Sequence, residues 1–263
     1  MTVLQATSYK PKALVFAGYG LNCEEETKFA FDRAGAEAEI VHINDLIEKP
    51  ELLNDFQIAA MPGGFSYGDD LGSGRAYGLR VKNHLQRELS KFLQRDTLMI
   101  GICNGFQILT AAGILPGALL DNSGARYVDR WVDVRVTGDS PWLFGLESLM
   151  LPIAHGEGRY HLPKEELKAL REEGRIALKY EKGEVSKHLD LQANPNGSIE
   201  NIAGITGCSG RVLGLMPHPE RAQFFTQLPQ WPLLKQQYQR SGREIPKDGP
   251  GLAVFKNAVK YFV

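Results

Sequence analysis

Cysteine is scarce in this chain of 263 residues, and the three present, Cys23, Cys103 and Cys208, lie far apart with no CxxC pair. That argues against a disulfide framework and against a thiolate zinc site. Neither sign of charge is in excess: 30 Lys and Arg stand against 31 Asp and Glu, a net charge of −1. Composition therefore gives no reason to expect a nucleic acid or an anionic membrane as partner. No apolar run approaches the roughly 18 residues that would suggest a membrane span. The opening stretch has neither the charged start nor the apolar run of an export leader. Repeats and low-complexity tracts are also missing. The expectation from these absences is a cytoplasmic protein, in whose reducing surroundings a lone cysteine in a special setting can be chemical.

What is present is ordinary globular composition, 43% hydrophobic and 23% charged, with ample length for a core. Up to residue 115, short apolar runs alternate with amphipathic ones. Strands are expected at 13–17, 36–44, 56–64 and 97–103, and helices at 24–34, 76–95 and 106–115, the second with an apolar face of Leu79, Leu85, Leu89, Phe92 and Leu93. That alternation predicts a parallel sheet covered on both faces. Strand-like runs then follow at 130–136, 149–155, 175–181, 202–207 and 211–217 with little helix between them, and 252–262 reads as a closing helix. The expectation is one domain over 12–263, a tail at 1–11, and an extended Pro- and Gln-rich loop at 226–250.

Three stretches carry chemistry. Gly101-Ile102-Cys103-Asn104-Gly105 falls between a buried strand and a helix, a G-x-C-x-G form of the nucleophile elbow. A sharp strand-to-helix turn lifts the nucleophile above the sheet edge and needs small neighbours two residues away. It also places the sulfur at a helix N-terminus, where partial positive charge suits a group that must become negative. An isolated cysteine at a strand end is more often buried structure; the flanking glycines favour the chemical reading. Pro217-His218-Pro219-Glu220 supplies a histidine and a carboxylate two apart. In extended backbone both face one side, so Glu220 could fix the tautomer of His218. The bland alternative is a proline-stiffened surface turn. His155, at the end of another apolar run, is the competing general base. Met61-Pro62-Gly63-Gly64-Phe65-Ser66 follows the third strand, and its glycines allow backbone N–H groups close to a ligand. The N–H groups of Gly64 and Asn104 would make an oxyanion hole. A plain turn or a phosphate cradle are the alternatives, the latter without the Lys-Ser/Thr that usually follows.

These stretches, with PGGFSYGDD (62–70), GICNGFQIL (101–109), PIAHGEGRY (152–160) and GLMPHPERA (214–222), resemble class I, triad-type glutamine amidotransferases, and within them the glutaminase component of phosphoribosylformylglycinamidine synthase. The resemblance covers about residues 12–222. It implies a flavodoxin-like α/β fold: a mostly parallel sheet with flanking helices and additional strands in the C-terminal half. It implies that Cys103 attacks the glutamine carboxamide, that His218 moves protons and Glu220 orients it, and that Gly64 and Asn104 hold the oxyanion. Phe65 and Gln107 would contact glutamine, with His155, Gly156 and Glu157 lining or bordering its side of the site. The ammonia would go to a large ATP-dependent synthetase, with or without a third small subunit. ATP and magnesium would belong to that partner, and this chain would carry no cofactor and no metal. Cys23 and Cys208 read as structural. The turn Gly18–Cys23 is longer than the compact one expected of this branch. A glutaminase serving another acceptor, or a stand-alone cysteine hydrolase, are the rival readings.

Overall fold

The computed structural model describes residues 9–70, 72–188 and 190–263; most of the expected 1–11 tail, and Leu71 beside the PGGFSYGDD stretch, lie outside them. The first half runs β1 (Lys12–Ala17), α1 (Glu24–Ala34), β2 (Glu37–His42), α2 (Ile43–Glu48), β3 (Ile58–Met61), α3 (Arg75–Gln94), β4 (Leu98–Ile102) and α4 (Asn104–Ala111). The second half runs β5 (Ala118–Leu120), β6 (Val128–Val136), β7 (Ser148–His155), β8 (Arg159–His161), α5 (Lys164–Glu172), β9 (Ile176–Glu181), α6 (Glu184–His188), β10 (Ile202–Gly207), β11 (Val212–Leu215), α7 (Trp231–Arg240) and α8 (Leu252–Lys260).

One nine-stranded sheet has the order β2-β1-β3-β4-β11-β10-β9-β6-β7, and β5 pairs with β8 separately. From β2 to β11 every pairing is parallel; from β11 to β7 every pairing is antiparallel. The parallel half has the 2-1-3-4-5 order of flavodoxin-like sheets, whose ligands sit beyond the carboxyl ends of the strands. Burial explains the placement. Strands β3, β4 and β11 are buried at every residue, as strands covered on both faces must be. The outer strand β7 instead alternates buried residues with more exposed ones.

The helices cover the sheet through faces legible in their spacing. Helix α1 stops at Gly35, whose φ of 101° lets its N–H return to the carbonyls of Asp32 and Phe31. Phe31 then meets Phe255 of α8 edge-on, ring centroids 4.9 Å apart. On α3 the buried stripe is Tyr77, Val81, Leu85, Leu89 and Phe92. Leu79, expected on that face, is 48% exposed, because it lies two residues out of the four-residue register of Tyr77, Val81 and Leu85. Burial of a side chain such as Leu89 contributes about 1.5–3 kcal/mol.

The expected extended loop at 226–250 is not all loop: it contains helix α7. The half-buried residues of that helix, Trp231, Leu234 and Tyr238, fall at helical spacing, but the stripe is short and sits in a Pro- and Gln-rich stretch that reads as loop. The second half also holds more helix than expected. In α5 only Leu167 and Leu170 are buried, within an otherwise charged run.

Candidate active site

The parallel strands deliver the chemistry to one edge of the sheet. The turn after β1, the glycine loop after β3, the cysteine after β4 and the histidine after β11 all lie at carboxyl ends. Cys103 sits between β4 and α4 with φ 51° and ψ −106°, a conformation that a side chain bears only where the surroundings impose it. The flanking glycines are a packing requirement. A Cβ on Gly105 would overlap the Met61 carbonyl oxygen at the end of β3, and one on Gly101 would lie 2.7 Å from the Gly105 oxygen. The thiol is 4% exposed, and its sulfur lies 3.7 Å from the carbonyl oxygen of Ala154 in β7.

His218 follows β11 and is pinned by its own N–H, which donates to the Pro152 oxygen at 2.8 Å. The sequence placed His218 and Glu220 on one side by extended backbone. The structure reaches the same juxtaposition through a single 3-10 turn over Pro219–Arg221, started by the proline. Nδ1 of His218 lies 2.5 Å from Oε1 of Glu220, with the residues 2% and 1% exposed. Burial by itself pushes the imidazole pKa down. The Glu220 carboxylate and the neighbouring Cys103 thiol overcome this and hold it well above the usual histidine value. Nε2 is buried and has no hydrogen-bond partner among the described residues.

The glycine loop is bolted to the turn after β1. The N–H groups of Asn22 and Cys23 both donate to the Gly63 oxygen, and Phe65 N–H donates to the Gly20 oxygen. At Gly64 a Cβ would stand 2.6 Å from the Gly20 oxygen, so the close crossing demands glycine. Among the described residues the N–H groups of Gly64 and Asn104 donate to no protein atom. Asn104 is on the first turn of α4, where helix geometry leaves the N–H free. Its side chain is wholly buried and works as a clamp: Oδ1 accepts from Ser66 N–H at 3.1 Å, and Nδ2 donates to Gln107 Oε1 at 2.7 Å.

Gln107, expected to contact glutamine, is 5% exposed and engaged at both ends of its amide. Nε2 donates to the Glu157 carbonyl oxygen at 2.5 Å. Glu157 Oε2 in turn accepts from Ser73 N–H at 3.2 Å. Gln107 is thus a strut between α4 and the loop after β7. His155 is a strut as well. Its Nδ1 lies 3.1 Å from Asn122 Oδ1 and its Nε2 3.5 Å from Asn196 Nδ2. Burial, and the nearby His218, lower its pKa to about 3. A base that weak, with both nitrogens occupied, does not compete with His218. Gly156 and Glu157 are half-buried beside it. Phe65 is 43% exposed at the rim, its ring 6.1 Å from that of Tyr127.

The CobB/CobQ-like glutamine amidotransferase domain matches residues 10–262. The chain is 44% identical to phosphoribosylformylglycinamidine synthase subunit PurQ of Methanococcus maripaludis, over 96% of this chain and 97% of that protein. It is 40% identical to the PurQ subunit of Dehalococcoides mccartyi, over 96% and 98%. Superposed on a chain of the PurLQS structure from Thermotoga maritima, it gives a TM-score of 0.72 at 33% identity, covering 97% of this chain and 100% of the other. The chain belongs to the PurQ family of glutamine amidotransferases.

Sequence reasoning missed five residues of this PurQ-family site. Asn122 and Asn196, which tether His155, stand in turns where asparagine has many reasons to occur. Tyr127 precedes β6 with no motif around it; burial, then Cys103, raises its phenol pKa. Arg221 and Cys23 close a further side of the His218 pocket. Arg221 Nη2 donates to Cys23 Sγ at 3.0 Å. Among the described residues Cys23, His218 and Glu220 are the one close group of three possible metal ligands. The Arg221 guanidinium against that sulfur places a positive charge where an ion would need to approach. No helix of the described residues is long and apolar enough to cross a membrane.

Proposed function

We propose that Cys103, His218 and Glu220 carry out the glutaminase reaction of this phosphoribosylformylglycinamidine synthase subunit. The observation that carries the reading is the buried 2.5 Å contact from His218 Nδ1 to Glu220 Oε1, which leaves Nε2 as the working nitrogen beside Cys103. Cys103 passes its S–H proton to Nε2 of His218, and its sulfur attacks the carboxamide carbon of glutamine, forming a C–S bond as the C=O π pair moves to oxygen. The oxygen becomes negative between the N–H groups of Gly64 and Asn104. The C–N bond then breaks, and His218 gives its proton to the departing ammonia. Water attacks the glutamyl thioester with His218 taking its proton; the C–O bond forms, the C–S bond breaks, and glutamate leaves.

The ammonia passes to a large synthetase that converts formylglycinamide ribonucleotide to the amidine in purine synthesis. The PurLQS assembly of Thermotoga maritima supports a complex with a large PurL-type and a small PurS-type partner. ATP and magnesium belong to that synthetase, and the location is cytoplasmic. The test is the complex pulled from its native lysate and given formylglycinamide ribonucleotide, ATP and magnesium, with nitrogen from glutamine or from ammonium. Amidine from both sources in wild type, and only from ammonium in Cys103→Ala, is the expected result. No amidine from either source would overturn the acceptor. Unchanged glutamine use by Cys103→Ala would overturn the nucleophile.

A further inference from the structure

Cys23 is buried, 1% exposed, and lies against the catalytic histidine. A Cβ on Gly63 would sit 2.8 Å from His218 Cε1 and 3.0 Å from Cys23 Sγ at once, so sulfur and imidazole edge flank the same backbone atom. The sulfur, a ring nitrogen of His218 and a carboxylate oxygen of Glu220 all lie within 4.8 Å of one another. On its other side the sulfur accepts from Arg221 Nη2 at 3.0 Å, while the thiol is 3.5 Å from Asn22 Oδ1.

The carboxylate between these groups is only half used. Oε1 of Glu220 holds His218, but Oε2 is buried with no hydrogen-bond partner among the described residues. Arg221, the next residue in the chain, is close enough for the Glu220 charge to raise its pKa against burial, yet the ion pair it makes is with Glu26, at 3.3 Å. A guanidinium binds a carboxylate far more strongly than it binds a thiol sulfur. Glu220 and Arg221 are adjacent in the chain, and the sulfur of Cys23, which accepts from that guanidinium, also lies within 4.8 Å of a carboxylate oxygen of Glu220.

We propose that Cys23 is a positioning residue: together with Glu26 its sulfur occupies the Arg221 guanidinium, holds it off Glu220, and so keeps that carboxylate committed to His218. This rests on the triad reading above. Without the sulfur the guanidinium collapses onto Oε2, the negative charge on Glu220 is shared, and the imidazolium loses its support. The charged and titratable groups that face His218 are Glu220 and Arg221 from its own segment, Cys23 from the head of α1, Cys103 from the elbow, His155 from the end of β7 and Tyr127 from before β6. Of these only Arg221 is a permanent cation, and its guanidinium is shared by the Cys23 sulfur and the Glu26 carboxylate. A neutral thiol suits this role. Burial raises its pKa, so it adds no charge of its own to compete with Glu220.

The test is the pH profile of glutaminase kcat/KM in the purified complex with its synthetase, each rate normalised to the ammonium-dependent rate of the same preparation. Cys23→Ala is expected to move the alkaline limb, set by loss of the His218 proton, down by about one pH unit. Cys23→Ser, whose oxygen still accepts from Arg221, is expected to hold the wild-type limb. The double variant Cys23→Ala/Arg221→Gln is expected to return the limb to or above its wild-type position, since the competing cation is gone. A purely structural role for the thiol would give a loss that removing Arg221 does not reverse. The proposal is overturned if the limb stays in place in Cys23→Ala, if it falls in Cys23→Ser, or if the double variant keeps the shift. Cys103→Ala, run alongside, separates the two readings: retained glutamine use there sinks the triad, whatever Cys23 does.

Discussion

Asn104 is tied to Ser66 across 38 residues of chain: its Oδ1 accepts the Ser66 N–H at 3.1 Å, with both residues buried. One side chain thereby links the helix behind the nucleophile to the loop that carries Gly64. The two N–H groups of the proposed oxyanion hole follow different strands, and this bond joins the segments that carry them. Asn104→Ala keeps the backbone donor and removes the clamp. Steady-state kinetics should show glutaminase kcat down by about ten-fold, below the loss of an oxyanion donor itself. A KM change with kcat intact would show that the clamp serves binding only.

Cys103→Ala should remove glutamine-dependent synthesis by roughly four to six orders of magnitude. Ammonium-dependent synthesis by the same complex measures whether assembly is intact. Cys208 is exposed on the turn before β11 and far from this edge, so Cys208→Ala should leave both rates alone.

Glu220→Gln should be milder, since the group orients and does not react; roughly a hundred-fold in kcat is the expected loss. Its signature is in pH. Glu220 raises the His218 pKa above the unfolded value, so the stabilisation it gives is fully present below about pH 6.5 and is lost as pH rises through the folded pKa. The melting-temperature gap between wild type and Glu220→Gln should therefore be widest in acid and narrow on the alkaline side. A gap that widens with pH would contradict the charge assignment.

His155 runs the other way. With its folded pKa near 3, the unfolded chain takes up a proton that the folded chain refuses, between about pH 6.5 and 3. Wild type should lose stability on acidification through that window, and His155→Gln should lose less of it. Parallel melting curves between pH 7 and 4.5 would remove His155 as a source of acid sensitivity.

Gly105→Ala tests the elbow as packing. The added methyl meets the Met61 carbonyl of β3, and overpacking of this kind costs about 1–3 kcal/mol. Denaturant unfolding should show the loss, and glutaminase activity should fall further than stability alone explains, because the displaced turn carries Cys103.

Much of the fold and of the site is legible in the sequence. Helix α1 falls on 24–34 as its pattern and Gly35 indicate, and the elbow declares itself because Gly101 and Gly105 are there for lack of room. His218 and Glu220 are legible as a pair, though the turn that joins them is not; proline dictates where it begins. Helix α7 is hidden because its stripe of Trp231, Leu234 and Tyr238 is short and only half-buried, among Pro and Gln residues that read as loop. Leu79 misleads because a leucine on a helix is not thereby on its buried side. Cys23 has no place by the site from sequence alone. Its nearness to His218 depends on the turn after β1 crossing the loop after β3 and on β11 lying next to β4, facts of strand order that no local pattern records.

That strand order also bears on when the enzyme can first exist. Strand β11, which carries His218 to the site, inserts between β4 and β10 and is the last strand of the sheet to be made. A ribosome extends the chain at about 5–20 residues per second. During that time Cys103 is already out while His218, its proposed base, is still unmade. On the proposed triad, a nascent or truncated chain that stops before β11 therefore holds a thiol without its proton partner, and glutamine is safe from it until the sheet is closed.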